Sequence, residues 1–141
     1  MIKYEKLPSD IIHRLEGIKS ILREDKNIIF AYLFGGLAKN DVHPLSDIDL
    51  AVYLKHMYEL TAYKLQLFDK MTDAIGTSEM DLIILNTAPI SLTGRILQNR
   101  EVLLDKEPFF RHAFESLKLR EFSDFKIKEN SLLSRRYGLG R

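Results

Sequence analysis

Residues Leu33 to Leu54 read LFGGLAKNDVHPLSDIDLAVYL, and the pattern of this stretch decides the fold. Its first residues close the short, wholly apolar run Ile28–Phe34 (IIFAYLF), which reads as a buried strand ended by Gly35-Gly36. Its last residues, Asp47 to Leu54 (DIDLAVYL), alternate before turning apolar and read as a second strand. Between them residues 37–46 contain Asn-Asp and His-Pro, which predicts a short helical turn followed by a loop. Side chains alternate along a strand, so Asp47 and Asp49 point one way while Ile48 points into the core. Two carboxylates set roughly 7 Å apart by the strand rise repel each other unless a cation sits between them. Magnesium, which takes a few carboxylate oxygens together with phosphate oxygens, suits such a pair. Taken alone, an Asp-x-Asp fits a strand edge with two solvated aspartates at least as well.

Working outward, two features bear on that choice. Gly35-Gly36 can expose backbone N–H groups to a phosphate with no side chain in the way, although Gly-Gly by itself is more often a plain turn. Farther along, Glu79 to Leu85 (EMDLIIL) reads as a third strand with Asp81 among apolar residues. A carboxylate there is expensive to bury unless it is paired or binds metal. If the second and third strands are neighbours, Asp81 joins the first two acids in one cluster.

The remaining elements follow from periodicity. Ser9 caps a helix running to about Glu24, with Ile11, Ile12, Leu15, Ile18, Ile21 and Leu22 on one face. Tyr58 to Ile75 predicts a second helix, with Leu60, Tyr63, Leu67, Phe68, Met71, Ala74 and Ile75 on one face and Gly76 as its C-cap. A short helix over Pro89–Asn99, a small strand over Glu101–Leu104 and a last helix from about Pro108 to Phe125 complete the order. The expected fold class is α/β (α+β), a small mixed sheet flanked by helices. The expected organisation is one domain over residues 1–125 and a C-terminal tail over 126–141, mobile or partner-binding, where apolar periodicity fades.

Bulk properties narrow the function classes. A length of 141 residues suits one domain, and 45% hydrophobic with 29% charged residues is an ordinary globular balance. A net charge of +1 lacks the basic excess of a dedicated nucleic-acid binder. The absence of cysteine removes disulfides and thiolate metal sites. His13, His43, His56 and His112 show no metal-ligand spacing and read as surface residues. With charges where a signal peptide needs an apolar core, and no run of about 20 apolar residues, a cytoplasmic location without membrane contact is expected.

Taken together, the motifs resemble the DNA polymerase β-type nucleotidyltransferase superfamily, and specifically its minimal nucleotidyltransferases. The family pattern is Gly followed by Ser or Gly, about ten residues, Asp-x-Asp, and a later strand bearing a third acid. In this chain it reads Gly35-Gly36, ten residues, Asp47-Ile48-Asp49, and Asp81. The flanks LFGG, SDIDLAV and MDLIIL are similar too, as is RILQNREVLLD from Arg95 to Asp105, so the likeness covers roughly residues 28 to 125. Gly36 stands where many members have Ser, and Lys39-Asn40 where they have Arg-Gly. Without that hydroxyl, a triphosphate depends more on backbone N–H groups and on Lys39.

The resemblance implies a polymerase β-like fold and attack of an acceptor hydroxyl on the α-phosphorus of a nucleoside triphosphate, with ATP as substrate. It implies that Asp47, Asp49 and Asp81 are catalytic and hold Mg2+ or Mn2+, with Asp81 taking the hydroxyl proton. Gly35 and Gly36 would cradle phosphate, and Lys39 or Ser46 would contact it. Minimal members commonly accompany a helical HEPN protein as antitoxin, which implies AMP transfer to a partner hydroxyl and leaves homo- or hetero-oligomers open. A small-molecule nucleotidyltransferase and a non-catalytic, contact-only antitoxin are the alternatives. The short chain speaks against the first and the filled acidic positions against the second.

Overall fold

The computed structural model describes residues 9–35, 48–76 and 79–137. Its centre is the apolar run Ile28–Phe34, here β1, flanked on one side by β2 (Ile48–Leu54) and on the other by β4 (Glu101–Asp105). With β3 (Met80–Ile84) outside β2, the sheet has the order β3-β2-β1-β4. β1 pairs antiparallel with both neighbours, whereas β2 and β3 run parallel. A parallel pair needs a long crossover, and α2 (Leu60–Ile75) supplies it.

Each face of the sheet is covered by a pair of helices. On one face α1 (Ser9–Glu24) and α2 bury Leu15, Ile18, Leu22, Leu67, Met71 and Ile75 against alternate strand residues such as Leu33, Leu50, Val52 and Leu82. On the other, α3 (Ile90–Gln98) and α4 (Pro108–Tyr137) bring Ile96, Leu97 and Phe114 onto Phe30, Tyr32 and Ala51. Covering on both faces is why β1 reads as a continuous apolar run rather than an alternating one. Tyr53 stacks on Phe30 at 5.1 Å between ring centres, and the edge of Phe114 meets Tyr53 at 5.2 Å. This is the mixed sheet with flanking helices expected from the sequence.

Two boundaries differ from expectation by two residues or more. α2 begins at Leu60, two residues late, because Glu59 sits in the left-handed region at φ 45° and ψ 52°. The Asn27 amide exchanges hydrogen bonds with the His56 backbone at 2.8 and 2.9 Å, so the chain is pinned before it turns into the helix. Tyr58 is therefore 81% exposed and lies against the His56 ring. Ala74 is also exposed.

α4 continues as helix through Tyr137, where periodicity predicts an end near Phe125. No glycine or proline interrupts residues 109–137, and Lys126 reaches Glu129 one turn on at 3.2 Å. Apolar periodicity fades there for a reason other than loss of helix. Beyond Phe122 and Phe125 the helix has little to pack on, and Ile127 and Leu132 are 63% and 62% exposed.

Candidate active site

Asp49 and Asp81 occupy the second positions of β2 and β3 and are direct partners in the parallel ladder. Across β1 the antiparallel partner of Asp49 is Phe34. Residues opposite one another share a face, so Phe34, Asp49 and Asp81 form one row across three strands. Alternation assigns the row to the α3/α4 side, since Ile48 and Leu50 enter the core under α1 and α2 while Ala51 joins the other cluster. Neighbouring strands are about 4.8 Å apart, which brings the two carboxylates within each other's field. Asp49 is half-buried and Asp81 is exposed, so the third-strand acid is not in the interior.

Gly35 follows Phe34 directly and has φ 77°, a conformation that side chains other than glycine's rarely adopt. A Cβ on Gly35 would overlap the Asp49 carboxylate. The turn out of β1 thus lies with bare backbone against the acid. Asp47, Gly36, Lys39, Ser46 and His43 fall outside the described residues.

Two carboxylates in direct cross-strand register repel, and a divalent cation with phosphate oxygens completes such a donor set. Among the described residues no group of three or more His, Cys, Asp or Glu is assembled. The described pair offers two carboxylates, a donor set that suits magnesium together with phosphate oxygens. His13, His56 and His112 are exposed and take no part.

A second charged cluster lies on the same face, and sequence reasoning missed it. The Tyr32 hydroxyl donates to Glu115 Oε2 at 2.6 Å, and Arg111 Nη1 donates to the same oxygen at 2.8 Å. Arg100 binds both carboxylate oxygens at 3.1 Å with its guanidinium 5.5 Å above the Tyr32 ring, while Arg111 Nε reaches Asp105 at 2.8 Å. Burial opposes ionisation of Glu115, yet the hydrogen bonds from Tyr32, Arg100 and Arg111 outweigh it and hold the carboxyl below its ordinary range. Burial, then the bond to Glu115, raises the Tyr32 hydroxyl well above the usual phenol range. Arg100 is thus engaged with Glu115, whereas Arg95 is exposed. The available signals were the single hydroxyl in the apolar run of β1 and the four-residue spacing of Arg111 and Glu115.

A glycine turn beside two in-register carboxylates at one sheet end suits the handling of a phosphorylated ligand. The family described as Polymerase beta, Nucleotidyltransferase matches residues 16–109, and the chain belongs to it. Among solved structures, a chain of a toxin–antitoxin complex with AMP-PNP superposes with a TM-score of 0.74 at 20% identity, covering 86% of this chain and 96% of the other. A chain of the Shewanella oneidensis complex of a tri-AMPylated HEPN toxin with an MNT antitoxin gives 0.70 at 18% identity, over 88% and 96% of the two chains. A chain of the MntA–HepT toxin–antitoxin complex gives 0.69 at 19%, over 88% and 97%. At these identities the likeness establishes the fold. No curated protein matches the chain. No helix among the described residues is long and apolar enough to cross a membrane.

Proposed function

We propose that the chain transfers AMP from ATP onto a hydroxyl of a HEPN-like partner protein, as the nucleotidyltransferase antitoxin of a toxin–antitoxin pair. The observation that carries this is the pairing of Asp49 with Asp81 beside the bare turn at Gly35. Membership of the nucleotidyltransferase family supports the reaction class. Likeness to complexes containing AMP-PNP and an AMPylated HEPN toxin supports the nucleotide and the partner.

In this reading the backbone at Gly35 and Gly36, with Lys39 and Ser46, receives the triphosphate. The acceptor hydroxyl oxygen bonds to the α-phosphorus, the bond to the bridging oxygen breaks, and pyrophosphate leaves with the electron pair. The hydroxyl proton passes to the Asp81 carboxylate, which is exposed and so open to an incoming acceptor. Asp47, Asp49 and Asp81 would hold Mg2+ or Mn2+, which when bound supplies charge neutralisation for the triphosphate. The protein's work is positioning and electrostatics, as in other phosphoryl-group transfers.

The test is incubation of the purified protein with labelled ATP, magnesium and the product of a neighbouring HEPN-like gene, followed by intact mass. AMP units on the partner, absent with Asp49→Asn, are expected. A tight complex with no mass gain moves the assignment to a contact-only antitoxin. The exposed apolar residues Ile127, Leu132 and Leu133 on the far end of α4 offer a contact surface that serves either reading.

A further inference from the structure

β3 is an edge strand, and among the described residues it pairs only with β2. The Ile48 N–H donates to the Glu79 carbonyl at 3.2 Å and the Leu85 N–H to the Val52 carbonyl at 2.8 Å, so both ends of the ladder bond inward at odd positions. In a parallel ladder the inward-bonding residues alternate. Met80, Leu82 and Ile84 therefore direct their N–H and C=O groups away from β2, toward the open edge. An edge of this kind is a ready template for another chain.

α2 overhangs that edge. Leu60, Thr61, Lys64, Leu65 and Phe68 recur at helical spacing along one flank, and with Asp81 and Leu82 they line an open cleft of about 640 Å³. Leu65 is 61% exposed, a large apolar residue that the fold leaves uncovered. The volume lies within the range of roughly 300–1,000 Å³ usual for binding clefts. Among the described residues the site thus has an unpaired strand edge for a floor and an apolar helix flank for a roof. Those two components recognise an extended peptide: main-chain groups bind the edge while alternate side chains enter the cleft.

We infer that this cleft is the acceptor groove, and that it takes an extended segment of the partner protein as a fifth strand beside β3. The inference rests on the transferase reading proposed above. Its geometry connects directly to the chemistry, because the groove reaches Asp81, the register partner of Asp49. A peptide residue beside Asp81 and on its face offers its hydroxyl to that carboxylate. The residues before and after it point to the opposite face, under α2, against Leu60, Leu65 and Phe68. The acceptor motif is accordingly a hydroxyl residue flanked on both sides by apolar ones, with Lys64 at the rim favouring an acidic neighbour. In the transfer step the acceptor oxygen bonds to the α-phosphorus as pyrophosphate departs, and its proton goes to Asp81.

Thr61→Trp and Leu65→Glu test the groove, since both side chains are exposed and neither supports the core. The measurements are transfer to the HEPN-like partner at varied acceptor and at varied ATP, and amide hydrogen exchange of the wild type with and without that partner. The acceptor concentration for half-maximal transfer should rise roughly tenfold or more, while the ATP dependence stays as in the wild type. The amides of Leu82 and Ile84 should exchange more slowly in the wild-type complex. Wild-type acceptor dependence in both variants, with no protection of these amides, overturns the groove and leaves the transferase reading standing. Failure of the wild type to modify the partner at all overturns the transferase reading and the groove with it.

Discussion

At the scale of single residues, Gly35 bears the tightest constraint. Its φ of 77° and the overlap that a Cβ would make with Asp49 act in the same direction. Gly35→Ala should lower stability by about 1–2 kcal/mol from backbone strain alone, and should abolish the melting-temperature rise produced by magnesium and ATP. A full ATP-induced shift in that variant would remove the turn from the site. Asp81 behaves differently because it is exposed. Asp81→Asn should change stability by no more than about 0.5 kcal/mol while eliminating transfer, and a strongly destabilised variant would assign it a structural role. Glu115 is the reverse, a residue of stability. Its carboxyl is held below its ordinary range, so its contribution is complete above the unfolded-state value and fades as pH falls through the folded one. Wild-type stability should therefore drop on acidification below about pH 4.3. Glu115→Gln should be destabilised by roughly 3 kcal/mol at neutral pH, with a flatter acid limb in urea titrations taken at successive pH values.

At the scale of elements, α4 does two jobs along its length. Its first half is bound to the sheet through Arg111, Phe114 and Glu115, and to α3 through Phe122. A Cβ on Gly94 of α3 would overlap the Phe122 ring, so Gly94→Ala must displace that ring or the helix that carries it. Overpacking of this kind costs about 1–3 kcal/mol, measurable as a lower urea midpoint with an unchanged slope. The second half, beyond Phe125, exposes Ile127, Leu132 and Leu133. Ending the chain at Phe125 should change the stability of the remainder by only about 0.5 kcal/mol, checked by thermal melting. Loss of partner binding in that truncated chain would assign the far half of α4 to the complex, and retained binding would assign the interface elsewhere.

At the scale of the whole molecule, the sheet end holding Asp49 and Asp81 carries like charges on neighbouring strands. In the proposed reading a cation with a nucleotide removes that repulsion and binds only the folded chain, so the two should stabilise together. At a ligand concentration one hundred times the dissociation constant the gain is about 2.7 kcal/mol. Scanning calorimetry should show a larger rise in melting temperature with magnesium and ATP than with either alone. No shift at millimolar concentrations of both would count against the metal-assisted reading.

The sequence by itself determined the order of elements, the central position implied by the apolar run of β1, and the alternation that separates Asp49 from Ile48. Those are local properties, written in a period of two or 3.6 residues. The family pattern was legible for the same reason, since its glycines and first two acids lie within one short stretch of chain. Helix ends at Leu60 and Tyr137 were less so, because one depends on a hydrogen bond across 29 residues and the other on a helix that outruns its packing surface. Only the tertiary structure decided that β3 lies beside β2 in the register that joins Asp81 to Asp49. It alone brought Glu115 to Tyr32 across 83 residues, and set α2 over an open strand edge. Periodicity states which face a residue takes but not which neighbour it meets, and neighbours are chosen by packing between distant segments.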